Sequence, residues 1–316
     1  MKRNKSGALT PFYDANDLLH FVPQLQDLAK ISIIKLANMD STNIDPLFWT
    51  LLAKTIEKEE SEYDGFVIAH GTDTMAYTAS AISFALQKIK KPVVFTGAQK
   101  PIQDIPSDAV PNLLNSTVVA SKFALGVCIV FGSKILQGNR ATKMSESSLD
   151  AFDSPMVAPI GKISLDPQIG DNYNLSKKKS DYFHKEFDPN VLVVQLVPGI
   201  QKKYLESIIE LDIHGIIFEA FGPGNIPKQL LPFLHQAEKR DIPIIILSQC
   251  RQGITRMQLY EVGREALAAG AIPGSDMTVE SASTKLMWIL SQTRDIRKIR
   301  NLYKKNISGE MSIYEQ

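Results

Sequence analysis

Cysteine is scarce in this chain: Cys128 and Cys250 are the only two, far apart, each inside or beside an apolar, strand-like run. A disulfide framework or a cysteine-based metal site is therefore not expected, and a reducing compartment fits. The five histidines (His20, His70, His184, His214, His235) form no HxxxH or HxH pair, so the spacing of a histidine metal site is lacking as well. No apolar run reaches the roughly 18 to 20 residues that span a bilayer, and an integral membrane protein is not expected. Charge of one sign is not in excess either. With 35 basic against 34 acidic residues and a net charge of +1, no whole-chain field favours nucleic acid or an anionic membrane. The start, Met1-Lys2-Arg3-Asn4-Lys5, is basic like that of a signal peptide, but Ser6-Gly7-Ala8-Leu9-Thr10-Pro11 follows where its apolar core belongs.

What remains is the composition of a globular protein, 44% hydrophobic and 22% charged, with 316 residues that exceed the usual reach of one hydrophobic core. Short β-branched runs alternate with segments of helical period, the pattern of α/β units with buried, mostly parallel strands. Strands are expected at Gly65–His70, Pro92–Thr96 and Val127–Phe131, with helices at about Thr74–Lys90 and Pro111–Lys122. From Asp153 to about Asn190 the chain turns polar and irregular, which reads as an excursion ending in a linker. Strands Val191–Leu196, Gly215–Phe218 and Pro243–Leu247 follow, with helices near Gln201–Leu211, Lys228–Arg240, Met257–Ala269 and Ser281–Arg294. The expectation is a two-domain α/β protein, each domain a three-layer sandwich with a mostly parallel sheet. The larger N-terminal domain spans 1–185 and a smaller, Rossmann-like C-terminal domain spans 186–316. In such architecture ligands bind in loops at the carboxyl ends of the strands.

One such loop is His70-Gly71-Thr72-Asp73-Thr74, between a buried strand and a helix. Its hydroxyls, its carboxylate and the unpaired N–H groups of the helix start converge on one point, suited to a carboxylate ligand or a developing oxyanion. The same residues also read as a plain helix cap with a glycine turn. The wider run His70-Gly71-Thr72-Asp73-Thr74-Met75-Ala76-Tyr77-Thr78-Ala79-Ser80 resembles the second signature of the asparaginase/glutaminase family, and its Met-Ala-Tyr continuation is similar to the cytoplasmic branch of that family. Met39-Asp40-Ser41, Phe95-Thr96-Gly97-Ala98-Gln99, Gly138-Asn139-Arg140-Ala141-Thr142-Lys143 and Gly274-Ser275-Asp276-Met277-Thr278-Val279-Glu280 continue the resemblance in order along the chain.

The resemblance implies hydrolysis of L-asparagine to L-aspartate and ammonia without metal or organic cofactor, in a cytoplasmic homodimer or homotetramer whose sites the partner's C-terminal domain completes. Thr72, Asp73 and Lys143 match the family's second triad, in which a threonine hydroxyl is set up by a lysine that a carboxylate orients. Without that match Lys143 reads as an ordinary surface lysine after a turn. Asp73 then takes the substrate's α-ammonium, Ser41 and the backbone around Asp40 and Ser41 take its α-carboxylate, and the Ala98 carbonyl faces the leaving amide. Ser248-Gln249-Cys250 and Asp276–Glu280, after strands of the second domain, are further contributors by position.

One family element is not found in the sequence. The first signature, a strand ending in Thr-Gly-Gly-Thr-Ile whose last threonine is the presumed primary nucleophile, occurs nowhere, and the expectation is that it precedes Met1. Thr10, with Tyr13 second, is the candidate for the mobile-loop residue that assists this nucleophile. Two rivals remain: an asparaginase-like subunit of a tRNA-dependent amidotransferase, which in the family carries an additional N-terminal domain, and a non-catalytic amino-acid-binding relative. Phe221-Gly222-Pro223-Gly224-Asn225 lacks the GxGxxG order of a nucleotide loop, Lys177-Lys178-Lys179 reads as a solvated loop, and Trp49 and Trp288 read as packing residues on helix faces.

Overall fold

Both halves of the chain are built from short apolar strands joined by helices. The computed structural model describes residues 2–3, 9–10, 15–170 and 184–312, and the chain divides into two units, Met1–Asp181 and Tyr182–Gln316. Tyr13 and Lys177-Lys178-Lys179 lie outside the described residues.

The first unit opens with an antiparallel pair, β1 (Lys2–Arg3) and β2 (Leu9–Thr10). Helices α1 (Ala15–Phe21), α2 (Leu25–Leu28) and α3 (Pro46–Glu59) follow. At the start of α3 the Asp45 carboxylate accepts from Phe48 N, and Pro46 occupies a first-turn position where no N–H is needed. Strands β3 (Phe66–Ala69), β4 (Val93–Thr96) and β5 (Val127–Phe131) pair in parallel, with α4 (Met75–Ala85) and α5 (Ala109–Lys122) as crossovers. Nearly every residue of α4 is buried, which its run of Ala, Ser and Thr with Ile82 and Phe84 permits.

Strand β6 (Lys134–Gln137) turns back antiparallel to β5. Beyond a separate two-stranded hairpin, β7 (Thr142–Lys143) with β8 (Phe152–Asp153), come β9 (Gly161–Lys162) and β10 (Gln168–Ile169). These complete a six-stranded sheet of order β10-β9-β6-β5-β4-β3. The parallel arrangement expected from sequence thus holds for β3, β4 and β5, and the outer half of this sheet is antiparallel. The polar stretch after Asp153, expected to be irregular, contributes β9 and β10; two-residue strands carry no readable periodicity. Helix α4 ends at Ala85 rather than near Lys90.

Strand β3 is the sheet's edge among the described residues, and it is half-buried to exposed where β4 and β5 are buried throughout. The β-branched run Ile31-Ser32-Ile33-Ile34-Lys35-Leu36 forms no pairing among the described residues.

The second unit is simpler. Strands β11 (Val191–Gln195), β12 (Gly215–Ala220), β13 (Ile244–Ser248) and β14 (Ile272–Pro273) form an all-parallel sheet in sequence order, with helices α6 (Lys202–Ile209), α7 (Leu231–Lys239), α8 (Glu261–Ala268), α9 (Val279–Leu290) and α10 (Ile296–Tyr303). Phe218, Phe233, Ile216, Ile244 and Ile246 lie in its core.

The segment entering this unit is stapled to α9. Trp288 Nε1 donates to His184 O at 2.9 Å, Ser291 Oγ donates to Glu186 O at 2.8 Å, and Asp188 N donates to Met287 O. The Asp188 carboxylate holds His214 Nδ1 at 2.9 Å and also meets Arg294. At the far end of the chain Lys285 Nζ and Glu310 Oε1, both side chains fully buried, lie 2.6 Å apart. Lys285 also donates to the carbonyls of Tyr303 and Lys305. Burial pulls the Lys285 ammonium below its usual pKa, while Glu310 works against that.

Removing one partner of such a pair leaves a buried charge uncompensated, at a cost of about 3–5 kcal/mol. Lys285→Met is therefore expected to lower urea-unfolding stability by about that amount. Lys91→Met is the control: it removes the 3.4 Å contact with the fully exposed Asp64 carboxylate and is expected to change stability by under about 1 kcal/mol.

Candidate active site

The loop after β3 is shaped by close backbone approaches. A side chain at Gly71 would meet Ser41 Oγ at 2.6 Å, and one at Gly97 would meet the His70 carbonyl oxygen at 2.2 Å. Only glycine allows the loops after β3 and β4 and the turn at Ser41 to meet this closely. Ser41 is buried at the start of a one-turn 3₁₀ helix, Ser41–Asn43, and its carbonyl accepts from Thr74 Oγ1 at 2.7 Å. Asp40 caps that turn, accepting from Thr42 N and Thr42 Oγ1, each at 2.9 Å. These two bonds, the backbone one first, hold its carboxyl below the usual range.

His70 anchors the loop from behind. Its Nδ1 lies 2.6 Å from Gly71 O and must donate there, so Nε2, 2.9 Å from Thr78 Oγ1, accepts. Trp49 Nε1 donates to the same hydroxyl at 3.1 Å, so this helix-face tryptophan also carries a polar contact. Burial pushes the His70 pKa down, more than the bond to Gly71 raises it.

Thr72, Asp73 and Lys143 come together although Lys143 is some seventy residues away in sequence. Lys143 Nζ donates to Thr72 Oγ1 at 2.8 Å and to Asp73 Oδ1 at 2.6 Å. The lysine is delivered by β7, whose pairing of Lys143 with Phe152 and Thr142 with Asp153 fixes its direction. Its side chain is 18% exposed and that of Asp73 59%, so the pair lies at a surface a charged ligand can reach. A lysine in contact with both a hydroxyl and a carboxylate can move a proton and orient a nucleophile.

Ala98 is half-buried in the loop after β4. Two neighbours in this region make contacts not expected from the sequence: Gln99, part of the loop motif but with no role assigned to it, and Asp108, which lies outside the motifs. Thr72 Oγ1 donates to Gln99 Oε1 at 3.0 Å, and the buried Asp108 carboxylate accepts from Gln99 N at 2.9 Å and Lys100 N at 3.0 Å. Asn112 Nδ2 braces the same loop through Gly97 O at 2.9 Å. Of the remaining candidates, Thr10 lies in β2, and its side chain is outside the described residues. Among the described residues no group of three or more His, Cys, Asp or Glu side chains could hold a metal ion, and no helix is long and apolar enough to cross a membrane. Cys128 is fully buried, its thiol pushed up to about 12.

The family model for the asparaginase N-terminal domain matches residues 1–176, and that for the glutaminase/asparaginase C-terminal domain matches residues 190–303. The chain belongs to the asparaginase/glutaminase family. It is 38% identical over 309 residues to an L-asparaginase of Thermococcus kodakarensis, covering 94% of this chain and 92% of that protein. It is 37% identical over 321 residues to one of the subunits of the glutamyl-tRNA(Gln) amidotransferase of Methanobrevibacter smithii, covering 98% of this chain and 73% of that one. The solved structure of the thermostable L-asparaginase from Thermococcus kodakarensis superposes with a TM-score of 0.87 at 34% identity, covering 99% of this chain and 96% of that one. The two-domain α/β fold is therefore that of the asparaginases.

In this asparaginase-family chain His70 is a half-buried base whose folded pKa lies below its ordinary value near 6.5. The unfolded chain binds the proton more readily, so the stabilisation is complete above about pH 6.5 and falls as pH drops below it. Thermal melting is expected to lose more between pH 7 and pH 5 in the parent chain than in His70→Gln. An equal loss in both would contradict a neutral imidazole held between Gly71 and Thr78.

Proposed function

We propose that this family member hydrolyses L-asparagine to L-aspartate and ammonia, in the manner of the cytoplasmic branch and as a homodimer or homotetramer. The observation that carries the reading is Lys143 Nζ, within hydrogen-bond distance of both Thr72 Oγ1 and Asp73 Oδ1. Lys143 exchanges a proton with Thr72 during attack on the amide, and Asp73 orients the lysine. The exposed Asp73 carboxylate also pairs with the substrate's α-ammonium. The Ser41 hydroxyl and the backbone of Asp40 and Ser41 take the α-carboxylate, and the Ala98 carbonyl accepts from the leaving amide. A site satisfying both charges of a free amino acid rejects peptide-linked analogues, which would leave a buried partner unpaired.

The primary nucleophile in this reading is the threonine of a Thr-Gly-Gly-Thr-Ile strand, a segment that does not occur in the 316 residues. The half-exposed edge of β3 supports a further strand pairing there. A second reading, an ammonia-releasing component of a tRNA-dependent amidotransferase, draws on the similarity to the Methanobrevibacter smithii protein. It differs in passing the ammonia on to a partner protein.

In a chain carrying the strand signature, Thr72→Val and Lys143→Met are each expected to lower turnover of L-asparagine by at least about a hundredfold, the scale of a lost acid–base group. Near-normal turnover in either variant removes the triad from the mechanism. Asp73→Asn is expected to weaken L-aspartate binding in calorimetry as well as turnover. The 316-residue chain alone should release ammonia far more slowly than one to which a Thr-Gly-Gly-Thr-Ile strand of roughly 15–20 residues, one strand plus its turn, is added. Substantial hydrolysis by the chain alone would assign the nucleophile to Thr72 or another residue present here.

A further inference from the structure

A threonine hydroxyl has one hydrogen, and here Thr72 gives it to Gln99 Oε1 at 3.0 Å while accepting from Lys143 Nζ at 2.8 Å. Lys143, donating to Thr72 and to Asp73 Oδ1 at 2.6 Å, cannot also receive the threonine's proton in this arrangement. For the lysine to act as base, Nζ must be a neutral amine with its lone pair toward Thr72, and the Thr72 hydrogen must leave Gln99 and turn toward it. A substrate amide oxygen that is to accept from Thr72 needs the same hydrogen. Gln99 ends in the same carboxamide as asparagine, so the group on Thr72 is a chemical twin of the group the proposed reaction brings to it.

The attachments of Gln99 differ in strength at its two ends. Its backbone N is fixed on the buried Asp108 carboxylate at 2.9 and 3.1 Å. Its side-chain Nε2 makes long contacts, 3.4 Å to Ser145 O and 3.3 Å to Ser148 O, in the segment just after Lys143. Those contacts set which end of the amide faces Thr72, and their length makes them weak. The side chain can therefore turn away while the loop stays in position.

We infer that Gln99 is a positioning residue that stands in for the substrate carboxamide on Thr72, so that a ligand must displace it to engage the hydroxyl. The inference rests on the reading of the site as one for asparagine and aspartate. A residue that only supported the loop would weaken binding when removed. A stand-in has the opposite signature, because its removal spares the ligand a competing hydrogen bond.

Calorimetric titration with L-aspartate, which is not consumed, tests this in the parent chain, in Gln99→Met, which keeps the length without the acceptor, and in Gln99→Ala. The expected result is affinity at least about threefold tighter in both variants, the scale of one neutral hydrogen bond, with melting temperatures close to the parent. Unchanged or weaker binding in both variants overturns the inference while leaving the amino-acid site intact. Absence of any L-aspartate binding by the parent chain instead removes the reading of the site, and the inference with it.

Discussion

Lys143 holds together pieces of chain that would otherwise meet only as surface loops. Its ammonium, 2.6 Å from Asp73 Oδ1 and 2.8 Å from Thr72 Oγ1, ties the hairpin of β7 and β8 to the loop after β3. Three pieces of local structure make this possible. Gly71 and Gly97 let backbones approach where any Cβ would collide; Asp108 and Asn112 fix the loop after β4; and the hydrogen-bond chain from Trp49 through Thr78 to His70 secures the strand end from behind. The resulting site is polar and partly open. Asp73 remains reachable by a charged ligand although Lys143 holds it.

The C-terminal domain uses many of its strand-end groups internally. The loop Phe221–Asn225 closes on itself, with Phe221 N donating to Asn225 O and Asn225 N donating to Phe221 O, and Gly224 N also donating to Phe221 O. This is why its glycines make a tight turn rather than a phosphate cradle. Gln249 Nε2 bridges the carbonyls of Leu196 and Glu219 at the ends of β11 and β12. Asp276 accepts from Ser312 N at 2.9 Å and Ser312 Oγ at 2.6 Å, binding the end of the described chain to the turn before α9. The buried pair of Lys285 and Glu310 makes that C-terminal segment part of the core rather than a tail.

What could be read from sequence followed the length and polarity of each run. Val127–Phe131 is a strand with the limits expected, because five apolar β-formers bounded by turn residues admit little else. The two-residue strands β7 to β10 carry no such signal and depend on tertiary pairing. At the site, Thr72 and Asp73 stood out locally because a strand-to-helix loop collects donors and carboxylates. Lys143 had no local signature and was legible only through resemblance. Gln99 lay in a motif that carried the resemblance but without a role of its own, and Asp108 was not legible at all, since their roles are side-chain bonds between loops that composition does not encode. His70 read as part of the loop, whereas its ring is turned to the buried Thr78.

The most direct measurement is a crystal structure of this chain with L-aspartate bound. The account predicts the ligand's α-ammonium on Asp73, its α-carboxylate at the Ser41 turn, and its side-chain carboxylate on Thr72 Oγ1 with the Gln99 side chain turned away. L-aspartate bound elsewhere, or bound with its side chain remote from Thr72 and Lys143, would contradict it.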